Sequence, residues 1–211
     1  MASVEIYIAR HGETEWNRQG RFQGQQDSRL AEEGRTQARL LGQSLRHLRF
    51  DRVYTSPSGR TQETTALILE TFTPPPPVIL APALMEIRHG DWEGLTWREV
   101  DERWPELHNT YREEPHKFEG APGGERLAEV EERAVAFLNA TASEAGADDV
   151  VLMVTHGVTS KLMVGSVLGR SIGDLWTPPR MDPTGLSQLH YEDGRFTVVR
   201  FADRSHLEAP N

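Results

Sequence analysis

Cysteine is missing altogether. That removes disulfides, thiolate metal sites and a cysteine nucleophile, and it fits a reducing compartment. Lysine is almost missing: of 23 basic residues only Lys117 and Lys161 are lysines. No Gly-x-x-x-x-Gly-Lys-Ser/Thr loop occurs, which argues against nucleoside-triphosphate hydrolysis of that type. Gly-x-Ser-x-Gly is also absent, and with it the usual serine-hydrolase elbow. No apolar run approaches the length of a membrane span. The apolar stretch within Met1–Arg10 is too short and too interrupted for a signal peptide, so the expected location is cytoplasmic. Positive charge is in deficit, with 23 Lys and Arg against 32 Asp and Glu and a net charge of −9. Such a chain lacks the footprint of a nucleic-acid binder and is repelled by anionic membranes, so neither is an expected partner. Any anion it binds must be held by a local cluster of positive charge.

What remains is an ordinary globular composition, 37% hydrophobic and 26% charged over 211 residues. That length suits one large domain or two small ones, and it is enough to bury most of the apolar surface in a single core. Val4–Ala9 reads as a short strand that runs into Arg10-His11-Gly12. Leu30–Leu48 carries leucines at helical spacing. Arg52–Thr55 is strand-like, Ser56-Pro57 breaks it, and Ser58–Phe72 reads as a helix. Thr73 and the run Pro74–Pro77 form a rigid connector to a strand at Val78–Leu80. Arg88–Gly124 has weak periodicity and three tryptophans, and is expected to be short helices and loops laid over the sheet. Gly124–Glu144 is amphipathic, with Leu127, Val130, Ala134, Phe137 and Leu138 on one stripe. Val150–Val154 is continuously apolar, the mark of a strand buried on both faces. Val158–Leu168 reads as a helix, and Ser187–Tyr191 and Phe196–Phe201 as strands joined by a turn at Glu192–Arg195. The polar tail from Ala202 is expected to fray. Alternating strands and helices predict an α/β three-layer sandwich with a mostly parallel central sheet and helices on both faces.

Two strands end alike, in Ala9-Arg10-His11-Gly12 and in Val154-Thr155-His156-Gly157. If the strands are neighbours, the two imidazoles converge, and each glycine lets the backbone approach a ligand closely. A metal is disfavoured. Zinc needs three or four ligands at short spacings, there is no His-Glu-x-x-His or His-x-His, and Arg10 beside His11 opposes a second cation. Arg10 and Arg60, each just beyond a strand, suit phosphate instead, because guanidinium forks match its oxygens in two-point geometry. Arg35, Arg39 and Arg46 are expected on a solvated helix face.

Arg10-His11-Gly12-Glu13-Thr14-Glu15-Trp16-Asn17, followed by Gly20-Arg21-Phe22-Gln23-Gly24, resembles the signature of the histidine phosphatase superfamily, the phosphoglycerate mutase-like family. Tyr54–Thr64, Leu84–Gly94 with Glu86 inside it, Gly123-Gly124-Glu125 and Val154–Gly157 resemble its further motifs, in the same order. The likeness runs from about Ile6 to Phe201. Gly90-Asp91-Trp92-Glu93-Gly94 and Leu175–Pro179 are closest to the bacterial broad-specificity phosphatase branch. Only 36 residues separate Glu86 from Gly123. The mutases carry a longer insertion there, with basic residues for the substrate carboxylate, and no paired arginines are seen in this one.

The resemblance implies one histidine phosphatase domain over 1–211, with an inserted cap at about 88–124. It implies a metal-independent phosphomonoesterase without a cofactor, acting on a small phosphorylated metabolite and releasing inorganic phosphate. His11 is then the nucleophile, carried through a phosphohistidine. Arg10, Arg60 and His156 surround the phosphoryl oxygens. Asn17, Gln23, the Gly24 backbone and Gly157 add contacts, and Glu86 protonates the leaving oxygen. By eye Glu93, Glu99 and Glu102 are equal candidates for that acid. Ser56 and Thr155 orient their neighbours or merely end strands. Arg88 and His89 contact an anionic leaving group or rim the pocket. Trp16, Phe22, Trp92 and Trp104 form an apolar wall, or at least two of them belong to the core. The competing readings are a phosphoglycerate mutase, a narrow sugar or cofactor-precursor phosphatase, and a non-catalytic phosphate-binding module. Oligomeric state is left open.

Overall fold

The computed structural model describes residues 3–208. Six strands form one sheet in the order β3-β2-β4-β1-β5-β6. β1 (Ser3–Arg10), β2 (Arg52–Thr55), β3 (Val78–Leu80) and β4 (Asp149–Thr155) are parallel to one another. β5 (Leu186–Glu192) and β6 (Arg195–Asp203) complete the other edge antiparallel. β1 and β4 lie in the middle because they are apolar on both faces. Ile6, Ile8, Val151 and Met153 enter one core, and Tyr7, Ala9, Leu152 and Val154 enter the other.

After the single-turn helix α1 (Glu15–Arg18), α2 (Glu32–Leu45) and α3 (Gly59–Leu69) cover one face through Leu41, Leu45, Ile68 and Leu69. On their outer side Arg35 pairs with Glu63 and Glu32, and Arg39 with Glu70. These are solvated pairs of small energetic weight. Between β3 and β4 come α4 (Trp97–Arg103), α5 (Pro105–Glu113) and the long α6 (Leu127–Glu144), and α7 (Gly157–Val167) follows β4. α6 and α7 cover the opposite face with Ala134, Leu138, Met163 and Val164. The expected three-layer sandwich is what forms.

The weakly periodic segment before α6 has a core of its own. Ile87, Trp92, Val100, Tyr111 and Phe118 pack against Leu127 and Val130 of α6 and Val158 and Leu162 of α7. The rings of Phe22, His108, Tyr111 and Phe118 surround Trp92, which is fully buried. Short helices aimed at one tryptophan have no common apolar face, so no periodicity is visible along the chain.

Several boundaries move. Leu30 and Leu48 lie outside α2, and Leu30 packs with Ala38 and Leu67 instead. The tail does not fray at Ala202. Ala202 and Asp203 belong to β6, and a turn at Ser205–Leu207 is anchored by His206 to Thr184 at 3.0 Å. Met1, Ala2 and residues 209–211 lie outside the described residues.

Candidate active site

Sheet register builds the site. Arg10 on β1 pairs with Thr155 on β4. Each chain leaves the sheet one residue later with a histidine, so the His11 and His156 rings meet edge to face at 5.3 Å. Both are buried at the carboxyl ends of parallel strands, where open α/β sheets bind their ligands.

His11 Nδ1 lies 2.7 Å from the Gly12 carbonyl oxygen. A carbonyl only accepts, so Nδ1 carries the proton and Nε2 carries the lone pair. Burial, then the Arg60 and Arg10 charges, push the His11 pKa well below its usual value. The ring is therefore neutral and its Nε2 nucleophilic. His156 is held differently. Arg60 Nη2 donates to its Nδ1 at 3.0 Å, which leaves Nε2–H to donate to Ser56 Oγ at 2.8 Å. His156 thus stands behind Arg60 and does not line the cavity that opens over the site.

Arg60, in the first turn of α3, is almost fully enclosed. Its Nη1 donates to the Gln26 carbonyl at 2.7 Å and Asp27 Oδ1 at 3.0 Å, and its Nη2 to the Gly24 carbonyl at 2.7 Å. Arg10 Nη1 donates to the Met181 carbonyl at 2.6 Å. The Nε–H of each arginine is buried and has no partner. Buried donors without acceptors are rare and costly. Two of them on guanidinium groups beside His11 are what a bound oxyanion would satisfy.

Glu86 lies across the amino terminus of α7. Its Oε1 accepts from Ile87 N (3.2 Å), Thr159 N (3.1 Å) and Thr159 Oγ1 (3.0 Å), and its Oε2 from Val158 N (3.1 Å). The backbone that carries it is gripped by Arg133 of α6. Arg133 Nη1 donates to the carbonyls of Ala83 and Met85 at 2.8 and 2.7 Å, and Nη2 to that of Glu86 at 3.2 Å. The other glutamates are occupied elsewhere. Glu93 accepts from the backbone of Gln25, Gln26 and His89, Glu99 accepts from Thr96 in the capping box of α4, and Glu102 pairs with Arg98 on the surface.

A cavity of about 820 Å³ opens over these groups. Arg10, His11, Asn17, Gln23, Gly24, Arg60, Glu86 and Gly157 all line it. Gln23 Oε1 is buried without a partner. Asn17 Oδ1 accepts from Thr14 and caps α1. Gly24, at φ +53°, offers Arg60 its carbonyl. Gly12 serves a different purpose from close approach to a ligand: a Cβ there would collide with the Gly34 backbone at the start of α2. Ser56 orients His156, and Thr155 Oγ1 donates to the Leu84 carbonyl at 2.7 Å, two residues before Glu86.

Of the paired candidates, His89 is buried and lines the cavity, whereas Arg88 is exposed and does not. Among the four aromatics proposed as a wall, only Phe22 reaches the cavity. Trp92 is core, and Trp16 and Trp104 are half-buried away from it. Sequence reasoning missed the rest of the wall: Trp97, His108, Tyr111 and Trp176, with Arg21, Arg112, Lys161 and Arg180. They come from separated stretches, and although Arg21 and Trp176 lie inside family-like motifs, nothing local marks any of them as a wall residue. No cluster of three or more His, Asp or Glu arranged as metal ligands occurs among the described residues, nor is any helix among them long and apolar enough to cross a membrane.

Comparison with known proteins identifies the family. The family model described as histidine phosphatase superfamily (branch 1) matches residues 6–204. Phosphoserine phosphatase 1 of Hydrogenobacter thermophilus is 36% identical, covering 97% of this chain and 94% of that protein. A metal-independent phosphoserine phosphatase of Arabidopsis thaliana is 30% identical, covering 98% and 84%. The solved structure of Bacillus stearothermophilus YhfR superposes with a TM-score of 0.91 at 35% identity, covering 97% of this chain and all of that one. The chain belongs to branch 1 of the histidine phosphatase superfamily and is a phosphoric monoester hydrolase.

Proposed function

We propose that His11 Nε2 attacks the phosphorus of a small phosphate monoester and forms a phosphohistidine. Arg10 and Arg60 take the phosphoryl oxygens on their Nε–H groups. The observation that carries this reading is the conjunction of a neutral His11, its lone pair on Nε2, with two buried guanidinium donors that lack acceptors. Phosphoryl transfer asks for alignment and charge stabilisation more than for covalent chemistry from side chains. Fixed, buried donors provide both. Gln23 and Asn17 add neutral contacts at the same wall, and His156 holds the Arg60 fork in place. The positive charge of α7's amino terminus faces the site through Gly157.

Glu86 gives its proton to the departing oxygen, which otherwise leaves as a strongly basic alkoxide. It then takes a proton from the water that attacks phosphohistidine, and inorganic phosphate leaves with His11 restored. The segment at about 88–124 acts as a cap of the same domain and holds the leaving group. No step calls for a metal or cofactor, and the Arabidopsis relative is named metal-independent. A chain without cysteine suits a cytoplasmic enzyme.

The test is phosphate release from 4-nitrophenyl phosphate and a panel of phosphorylated metabolites, with and without chelator. Phosphoserine heads the panel because two relatives are named for it. Turnover unaffected by chelator is expected. Failure on every ester, or recovery of activity only with an added divalent cation, would overturn the proposal. Interconversion of phosphoglycerate isomers faster than phosphate release would favour the mutase reading.

A further inference from the structure

We infer that Lys161 forms a second anion subsite, which receives a carboxylate or a second phosphate on the leaving group. The inference rests on the phosphatase reading above.

Six Lys and Arg side chains line the cavity: Arg10, Arg21, Arg60, Arg112, Lys161 and Arg180. Four have a carboxylate of the protein beside them. Arg21 pairs with Glu99, Arg60 with Asp27, Arg112 with Glu113 and Arg180 with Asp182. Arg10 and Lys161 form no ion pair among the described residues. Arg10 faces the phosphoryl position, which leaves Lys161 as the cation without a counter-charge.

Lys161 is only 7% exposed. Its Nζ donates to the Thr177 carbonyl at 2.6 Å, and no other hydrogen-bond partner is seen. An ammonium has three N–H donors, so two remain. Burial, together with Arg170 and Arg180, pushes its pKa down to about 8. The surrounding potential is thus positive, and a buried charge in such surroundings is costly unless paired. Glu131 of α6 and Asp174 border a shallow crevice beside Lys161, but neither forms an ion pair with it.

Position fits the role. Lys161 follows Gly157 by four residues on α7, about 6 Å along the helix axis. Gly157 abuts the Arg10 guanidinium, and a Cβ added to this glycine would sit 3.5 Å from Cζ. Val158 and Thr159, between them, hold the Glu86 carboxylate. One helix therefore presents the phosphate end, the proton donor and the free ammonium in sequence.

The test compares kcat/KM for 3-phosphoglycerate and glycerol 3-phosphate, which differ only in a carboxylate against a hydroxymethyl group. A second pair, propane-1,3-diol bisphosphate and 3-hydroxypropyl phosphate, does the same for a second phosphate. Wild-type enzyme is expected to prefer the anionic member of one pair by about tenfold or more. Which pair shows the preference identifies the anion. Lys161→Met should bring that ratio close to one, and Lys161→Arg should keep most of it. A wild-type ratio near one in both pairs overturns the inference without needing a variant. So does a Lys161→Met enzyme that loses the same factor on charged and neutral members, which is what a purely structural tie to Thr177 would give. Turnover of 4-nitrophenyl phosphate or phosphoserine but of none of the four esters also overturns the inference, whereas failure on every one of these esters would instead refute the phosphatase reading, and this subsite with it.

Discussion

Replacing Glu86 by glutamine separates two jobs of that side chain. The carboxylate accepts four hydrogen bonds, three on Oε1 and one on Oε2. Glutamine has one acceptor oxygen. Placed at the Oε1 position it keeps the bonds from Ile87 and Thr159, and its NH2 then meets the Val158 N–H head on. One buried donor left without an acceptor costs about 1–3 kcal/mol. For a domain of this size that lowers Tm by roughly 2–4 °C per kcal/mol, so the variant stays folded at room temperature. The chemical loss is selective. Without the acid, an alkyl phosphate must expel alkoxide, and its kcat/KM should fall about 10²–10⁴-fold. A nitrophenolate leaves without help, so kcat/KM for 4-nitrophenyl phosphate should change by less than about tenfold. That parameter covers only the steps through leaving-group departure. The kcat for the aryl ester does fall, because water then attacks phosphohistidine without its base. The assay is steady-state kinetics on glycerol 3-phosphate and 4-nitrophenyl phosphate in parallel, with a thermal melt of each protein. Equal losses in kcat/KM on both esters, or no loss on the alkyl ester, would refute the assignment of Glu86.

Three further outcomes follow from the same geometry. Because His11 is held neutral well below the usual imidazole range, kcat/KM for 4-nitrophenyl phosphate, whose leaving group needs no acid, corrected for substrate ionisation, should show no acid limb near pH 6.5; such a limb would contradict the lowered His11 pKa. Buried His89 has its pKa lowered by burial to about 3, so the unfolded chain binds protons below about 6.5 that the folded one refuses, and stability is lost as pH falls from 6.5 towards 3. At pH 5 His89 alone costs about 2 kcal/mol, and urea midpoints at pH 7 and 5 should show a smaller loss in His89→Phe than in wild type. Gly34→Ala drives a Cβ into the backbone of Glu13, beside the nucleophile, so activity should fall at least tenfold even at temperatures well below its Tm; wild-type kcat would show that this contact is not needed.

Much of the sheet was legible because the physics is local. The run Val150–Val154 is apolar at every position, and only a central strand buries both faces. The turn at Glu192–Arg195 sits between two alternating segments and gives the β5–β6 hairpin. The two histidines could be paired in advance only through the likeness of their strand ends; what joins them is the β1–β4 register, a long-range property. Glu86 could not be told from Glu93 or Glu99 by composition, since the difference lies in which backbone amides each accepts. Gly12 looked like a residue for ligand approach and is instead where α2 crosses. Arg133 and Lys161 carried no signal, because the carbonyls they hold lie more than a dozen residues away along the chain. The cavity wall was the least legible part, because Trp97, Tyr111 and Trp176 come to line one cavity only once the segment before α6 has packed against α7.

The nucleophile can be tested directly by rapid mixing with 4-nitrophenyl phosphate, alkaline quenching that preserves phosphohistidine, and peptide mass spectrometry with ³¹P NMR. The account predicts one phosphoryl group per chain, on Nε2 of His11, and none in His11→Ala. A phosphoryl group on His156, on Nδ1 of His11, or still present in the His11→Ala enzyme would contradict it.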